Sequence, residues 1–318
     1  MNSFLHITEK LKLLLTKAIF SALALCSLRI GHAVGFMLGN CWWWHQGRSA
    51  QITQKNIALC FPELSAVQQR ELAKKSIIAT AQLGVEIAQV WLWPRAKSAA
   101  YIVRVHNEVL FDEAINSEKG VIVIAPHLGN WEWFGVYLAS KTPITTLYEP
   151  AKLSGLDMWI KERRGKTVGQ SVPTTREGIV ALYKTLQKGG AVGILPDQEP
   201  EISGGEFAPF FGIETLSMTL VSRLAQKTGA QVLCGYTKRL PNHQGFEIIF
   251  HKTSDDIYSS DMRTSVAELN SCVEKSVREA PEQYQWEYNR FKKTPESVIE
   301  KEEKIKARKE RKRKQNQQ

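Results

Sequence analysis

Five short apolar runs, at residues 121–125, 144–148, 191–195, 231–236 and 246–250, constrain this chain more than any other feature. Runs of that length, rich in β-branched residues and bounded by turn formers, read as strands buried on both faces. Helical periods separate most of them. Ile77, Ala81, Val85, Ala88 and Leu92 fall on one helix face before Pro94 ends the run. Residues 175–187, 217–227 and 263–277 also read as helices, the last carrying Val266, Leu269, Val273 and Val277 on one face. Buried strands alternating with helices predict an α/β fold whose central sheet is mostly parallel and flanked by helices. The 318 residues suffice for one large domain or two small ones at roughly 100–200 residues each. With 43% hydrophobic and 23% charged residues, composition argues against disorder, collagen and a polytopic membrane protein. The five cysteines are scattered without a C-x-x-C pair, so neither a disulfide framework nor a zinc site is indicated, and a reducing compartment is expected.

The N-terminus breaks this pattern. Residues 18–28 and 33–38 are apolar, Arg29 and His32 interrupt them, and Trp42, Trp43 and Trp44 follow. As one helix, residues 18–44 would extend about 40 Å at ~1.5 Å per residue, enough for a bilayer core, with the tryptophans as an interfacial belt. Arg29 near the centre opposes a simple span at about 2.5–3.5 kcal/mol unless it snorkels or meets a phosphate. Residues 1–45 are therefore read as a membrane anchor that either spans the bilayer or lies in its interface. Two plainer readings compete: a signal peptide, suggested by Lys10, Lys12 and Lys17 ahead of the apolar run, and an ordinary core helix. At the other end, residues 296–318 carry nine basic and five acidic residues and too few apolar ones for a core. They read as a solvated tail that is also suited to anionic headgroups. The chain's net charge of +10 favours anionic partners without choosing among them.

Chemistry is expected where the first strand ends. Residues 121–125 run into Pro126, His127, Leu128, Gly129, Asn130, Trp131 and Glu132, which places His127 in the crevice beyond the strand's carboxyl end, where open α/β sheets bind ligands. If a helix begins near Asn130, Glu132 lies in its first turn and can reach back to hydrogen-bond the imidazole. An imidazole held at one nitrogen leaves the other available as a general base near neutral pH, with no serine nucleophile. Read alone, His127 also suits a structural role and Glu132 a helix N-terminus. Metal ligation is not expected, since the pair is not H-E-x-x-H and the other histidines form no ligand-spaced cluster. The chain has no G-x-x-x-x-G-K-[ST] and no G-x-G-x-x-G, and Gly169-Gln-Ser171-Val-Pro173 misses the nucleophile elbow at its last residue.

The Pro-His127-Leu-Gly129-Asn130-Trp-Glu132 block resembles the His-x4-Asp/Glu block of the bacterial lipid A biosynthesis acyltransferases, the late lauroyl and myristoyl transferases of lipopolysaccharide. Further blocks agree in order: Asn56 to Glu63, Glu162-Arg163-Arg164-Gly165, Asp197-Gln198-Glu199-Pro200 with Phe207 to Gly212, and Tyr284 to Lys292. The likeness covers residues 8 to 295, which make up the catalytic domain (46–295) and most of the anchor. The His-x4-acid spacing is shared with glycerolipid acyltransferases, whereas the Asp-Gln-x-Pro and Phe-Phe-Gly block is far more specific. The wider superfamily commonly has Asp where this chain has Glu132, which keeps the carboxylate and lengthens its reach by one methylene.

The resemblance implies a glycerolipid-acyltransferase-like fold, acyl carrier protein as thioester donor, a lipid A precursor as acceptor, and attachment through membrane lipids to the cytoplasmic face of the inner membrane. No cofactor, metal or nucleic acid is implied. His127, oriented by Glu132, would deprotonate the hydroxyl of a 3-hydroxyacyl chain on the acceptor, and the alkoxide would attack the thioester. Amides near Gly129, Asn130 and Trp131 would receive the oxyanion. Arg164 would hold an acceptor phosphate through its planar fork, while Asp197, beyond the strand at 191–195, would order Arg164 or bind an acceptor sugar, with Gln198 beside it. Two other readings share these features: the same chemistry on another glycolipid or a glycerophosphate, and a membrane-tethered binding module without catalysis. The second lacks any RNA- or DNA-binding signature.

Overall fold

A computed structural model describes residues 2–151, 153–298 and 300, with the side chains of 2–8 excepted. In chain order the elements are α1 (Asn2–Leu25), α2 (Leu28–His45), α3 (Arg48–Cys60), α4 (Ala66–Leu92), α5 (Arg95–Ala99), β1 (Ile102–His106), α6 (Glu108–Asn116) and β2 (Val121–Ile124). They continue with α7 (Trp131–Lys141), β3 (Ile144–Tyr148), α8 (Ser154–Thr167), β4 (Gln170–Pro173), α9 (Arg176–Gln187) and β5 (Ala191–Ile194). The last are β6 (Gly205–Phe210), β7 (Ile213–Met218), α10 (Leu220–Thr228), β8 (Gln231–Arg239), β9 (Phe246–Lys252) and α11 (Met262–Glu279).

Seven strands form one sheet in the order β1-β9-β8-β2-β5-β3-β4. Five neighbouring pairs are parallel and the β8–β9 pair is an antiparallel hairpin. The expected α/β architecture with a mostly parallel sheet is therefore present. The alternation of side chains along strands divides its core. Ile122, Ile124, Val192 and Ile194 pack with α9, α10 and α11 on one face, while Val121, Val123 and Ala191 pack with Phe111 of α6 and Phe134 and Leu138 of α7 on the other. The edge strands β1 and β4 were not legible as apolar runs. Being edges, they carry Arg104, His106, Gln170 and Ser171, which only a strand open on one side tolerates. The helix expected over 217–227 starts three residues later. Ser217 and Met218 instead complete β7, which pairs with β6 as a separate two-stranded ribbon. The buried Arg290 guanidinium holds that ribbon, donating to Leu216 O and Ser217 Oγ, both at 2.6 Å.

The N-terminal segment is two helices rather than one. α1 ends at Leu25, and Ser27 caps α2 by accepting the Ile30 amide at 3.3 Å. Among the described residues, no helix is long and apolar enough to cross a membrane. Gly31, Gly35 and Gly39 recur every four residues, and a Cβ at each would meet Gln89, Gln82 or Ile78 of α4 within 3 Å, so α2 lies in close backbone contact with α4. His32 is buried in that interface, whereas Arg29 is exposed beside the break. The basic tail beyond residue 300 lies outside the described residues.

Glu86 of α4 is the buried polar centre of the fold. Its carboxylate accepts from His32 Nε2 at 2.7 Å, from Asn130 Nδ2 at 2.9 Å and from the Arg239 guanidinium, thereby joining α2, α4, β8 and the start of α7. Burial would raise its pKa, but Arg239 and His32 outweigh burial and hold it at about 2. Glu86→Gln leaves Arg239 buried without its counter-charge and should destabilise the fold by about 3–5 kcal/mol in denaturant unfolding. The folded pKa lies below the ordinary carboxylate value of 4.5. The pair's contribution is therefore fully present above that pH and is lost as pH falls towards 2, so the gap between wild type and variant should narrow in acid.

Candidate active site

β2 and β5 are parallel neighbours in the register Val121↔Ala191 to Ile124↔Ile194. Each is followed by one apolar residue, a proline and a polar residue, so continuing the register brings His127 beside Asp197. His127 Nδ1 lies 2.8 Å from Asp197 Oδ1, and the His127 amide donates to Asp197 Oδ2, also at 2.8 Å. The bidentate grip fixes both the backbone and the ring of the histidine. Burial opposes the charge on Asp197, but His127 outweighs it and keeps the carboxyl below its usual range. Nδ1 is thereby the protonated nitrogen and Nε2 the basic one. Nε2 faces the amide of Gln198 at 3.2 Å, and the Trp131 ring meets the imidazole edge-on at 4.9 Å. The imidazole is 16% exposed and Asp197 only 3%, so the base looks outward while its partner is sealed. Tyr284, buried against the same carboxylate, has its phenol pushed far up by burial and by Asp197.

Glu132 does not hold the imidazole. Being the second residue of α7, it points along the helix flank, where Arg164 Nε donates to both its oxygens, at 2.9 and 3.1 Å, and Arg164 Nη2 donates to Oε1. Trp91 Nε1 completes the arrangement at 3.0 Å. The expected His127–Glu132 hydrogen bond is thus replaced by two separate pairs, His127–Asp197 and Arg164–Glu132. Asp197, expected to order Arg164, orders the histidine instead. The signal that would have found this is the repeat Ile-Ala-Pro-His127 and Ile-Leu-Pro-Asp197 at the ends of two strands. Using it required knowing that those strands are adjacent.

Gly129 and Asn130 build the turn that leads into α7. Gly129 has φ +59°, and a Cβ there would lie 1.6 Å from Thr237 O. Its amide donates to Gln283 O at 2.9 Å and that of Asn130 to Thr237 O at 3.2 Å, so neither remains for an oxyanion. The Asn130 side chain caps α7, accepting the Trp133 amide at 3.0 Å while donating to Glu86. The first-turn amides of Trp131 and Glu132, which have no partner within their helix, are the ones left at this end. Among the described residues no group of three or more His, Cys, Asp or Glu side chains converges as metal ligands do.

The fold and site are those of an α/β enzyme that carries a carboxylate-held imidazole at the edge of a parallel sheet. The model of the bacterial lipid A biosynthesis acyltransferases matches residues 4–293; the chain belongs to that family and is an acyltransferase. It is 28% identical over 252 residues to the lipid A biosynthesis palmitoleoyltransferase of Escherichia coli K12, covering 78% of this chain and 80% of that protein. It is 27% identical over 255 residues to the lauroyltransferase of the same strain (79% and 81% covered) and 24% identical over 239 residues to its myristoyltransferase (73% and 71%).

Gly129→Ala combines the left-handed φ, worth about 1–2 kcal/mol, with a collision against strand backbone, so it should destabilise the protein by more than that strain alone. A thermal melt that matches wild type would contradict the assigned turn.

Proposed function

We propose that this acyltransferase moves a fatty acyl chain from acyl carrier protein to the hydroxyl of a 3-hydroxyacyl chain on a lipid A precursor, at the cytoplasmic face of the inner membrane. Family membership and the names of the related E. coli enzymes support the acceptor. The observation that carries the mechanism is the Asp197-held His127, with Nε2 turned to the crevice. Gln198 gives way, and Nε2 takes the hydroxyl proton as its oxygen bonds to the thioester carbonyl carbon. The tetrahedral oxyanion meets the Trp131 and Glu132 amides at the helix start. Collapse breaks the carbon–sulfur bond, and the imidazolium returns its proton to the departing thiolate. Asp197 remains a carboxylate throughout and stabilises the imidazolium. Arg164, held by Glu132 through Nε and Nη2, directs its remaining amino group to the acceptor phosphate.

The exposed face of the two N-terminal helices supports the membrane assignment. Leu11, Leu14, Leu15 and Ile19 form a stripe on α1, and Phe36, Met37 and Trp44 stand out from α2, with Trp44 87% exposed. Lys10 and Lys12 flank the stripe, an arrangement suited to an interfacial helix over anionic lipid. Deleting residues 1–44 is not a clean test, because α2 also supplies Leu28, His32 and Trp43 to the core.

His127→Ala and Asp197→Asn should each lower kcat by about 10²–10⁴ in an assay of acyl carrier thioester and lipid A precursor read by mass spectrometry. Asp197→Asn should also shift the pH profile of kcat, whereas Glu132→Gln, acting through Arg164, should reduce kcat/KM for the acceptor without moving that profile. An unshifted profile in Asp197→Asn would return the orienting role to another group. For the membrane face, Leu14→Glu combined with Phe36→Glu should release the folded protein from anionic vesicles in flotation, with little change in melting temperature. Unchanged flotation would refute this face.

A further inference from the structure

Helices α9 and α10 run side by side on the sheet face opposite α7, and between them lies an open groove of about 640 Å³. Its floor is apolar. Ile179 and Val180 stand 39% and 43% exposed there, next to Leu220. Two rows of cations flank the floor. Arg223 and Lys227, four residues apart on α10, line the groove, and Arg176 and Lys184, eight apart on α9, border Val180 from the other side. All four are exposed and none forms an ion pair with a carboxylate among the described residues; Glu177 is the single acid among the described residues that line the groove and its α9 bank. The spacing of four puts Arg223 and Lys227 on one face of α10, and Arg176 and Lys184 lie beyond Val180 on α9, so cations border the apolar trough on both helices.

We propose that this groove docks the acyl carrier protein through an acidic helix, which rests on the apolar floor with its carboxylates between the two cation rows. The inference rests on the reading of the carrier as donor and adds where the carrier binds. Charge complementarity selects an anionic partner, and a straight trough with charge on both banks fits an amphipathic helix better than a small anion. Position supports the assignment. The upper end of the groove is Gly204 and Thr219, tied together by the Thr219 amide and hydroxyl on Gly204 O at 3.1 and 3.0 Å. Gly204 closes the loop that starts at Asp197 and Gln198, so a carrier seated here has its prosthetic arm beside the loop that faces His127. The exposed apolar stripe of α1 belongs to a helix packed on α4 and α8, whereas the groove is walled by α9 and α10, so the lipid-facing stripe and the carrier groove are carried by different elements.

The test compares two donors with full-length protein in detergent: acyl carrier protein thioester and the same acyl group on free pantetheine. The doubly substituted Arg223→Glu, Lys227→Glu protein should raise KM for the carrier thioester about tenfold or more while turnover of acyl-pantetheine stays within about twofold of wild type. Wild-type KM for the carrier should rise with salt, and the variant should lose most of that dependence. Arg223→Ala with Lys227→Ala, which adds no repulsion, should give a smaller change in the same direction and serves if the charge reversal does not fold. Unchanged carrier KM in both variants would overturn the docking site, as would an equal loss on both donors. Loss of binding to anionic vesicles with carrier KM unaltered would make the groove a lipid surface instead. If wild type consumes acyl-pantetheine but not the carrier thioester, the donor reading itself falls, and the docking site with it.

Discussion

The buried carboxylate of Glu86 is the interaction on which the other parts converge. One side chain accepts from His32 on α2, Arg239 on β8 and Asn130 at the start of α7. An isolated carboxylate could not be sealed there; with these donors it is ionised and satisfied. The consequence reaches the chemistry. Asn130 caps α7, and its backbone and that of Gly129 are bonded to β8 and to the C-terminal strap at Gln283. His127 therefore sits on a turn anchored at Gly129 and Asn130, and its amide and ring are both held by Asp197.

Separating two carboxylates by role gives the site its logic. Asp197 is adjacent in the sheet and holds a histidine, while Glu132 is adjacent in sequence and holds an arginine. Sequence proximity misleads here because α7 starts immediately after the turn and carries Glu132 along its axis, away from the ring. Neighbouring parallel strands, by contrast, deliver residues seventy positions apart to the same edge. The aromatic cluster of Phe20, Trp91 and Trp159 adjoins the second pair through Trp91, with Phe20 5.6 Å from Trp91 and 5.4 Å from Trp159. Phe20 belongs to α1 and Trp91 donates to Glu132, so the helix with the exposed apolar stripe is linked to the Glu132–Arg164 pair through one indole ring.

The N-terminal segment serves two surfaces at once. Its glycine stripe and His32 face α4, where a buried histidine and close backbone contact suit protein rather than lipid, and its large apolar side chains face outward. A hydropathy reading merges the two faces into one interrupted span. Resolving them depends on recognising that Gly31, Gly35 and Gly39 share a helix face at four-residue spacing, and that Ser27 starts a new helix.

What the sequence determined by itself is whatever depends on local pattern. Short β-branched runs bounded by turn formers read as strands covered on both faces, so the α/β class, the buried sheet and the place of His127 at a strand end are legible in the order of residues alone. The motif order is also enough to indicate the family. Tertiary structure alone decided strand order, and with it the identity of the carboxylate beside the histidine. Strand order is set by how whole faces pack rather than by any one run, and the polar edge strands β1 and β4 carry almost no local signal. The same holds for Asn130 and Gly129. As residues they suggest ligand binding, but their backbone amides are occupied by Thr237 of β8 and by Gln283, more than a hundred positions away, and the Asn130 side chain donates to Glu86 of α4, and only the folded chain brings these together.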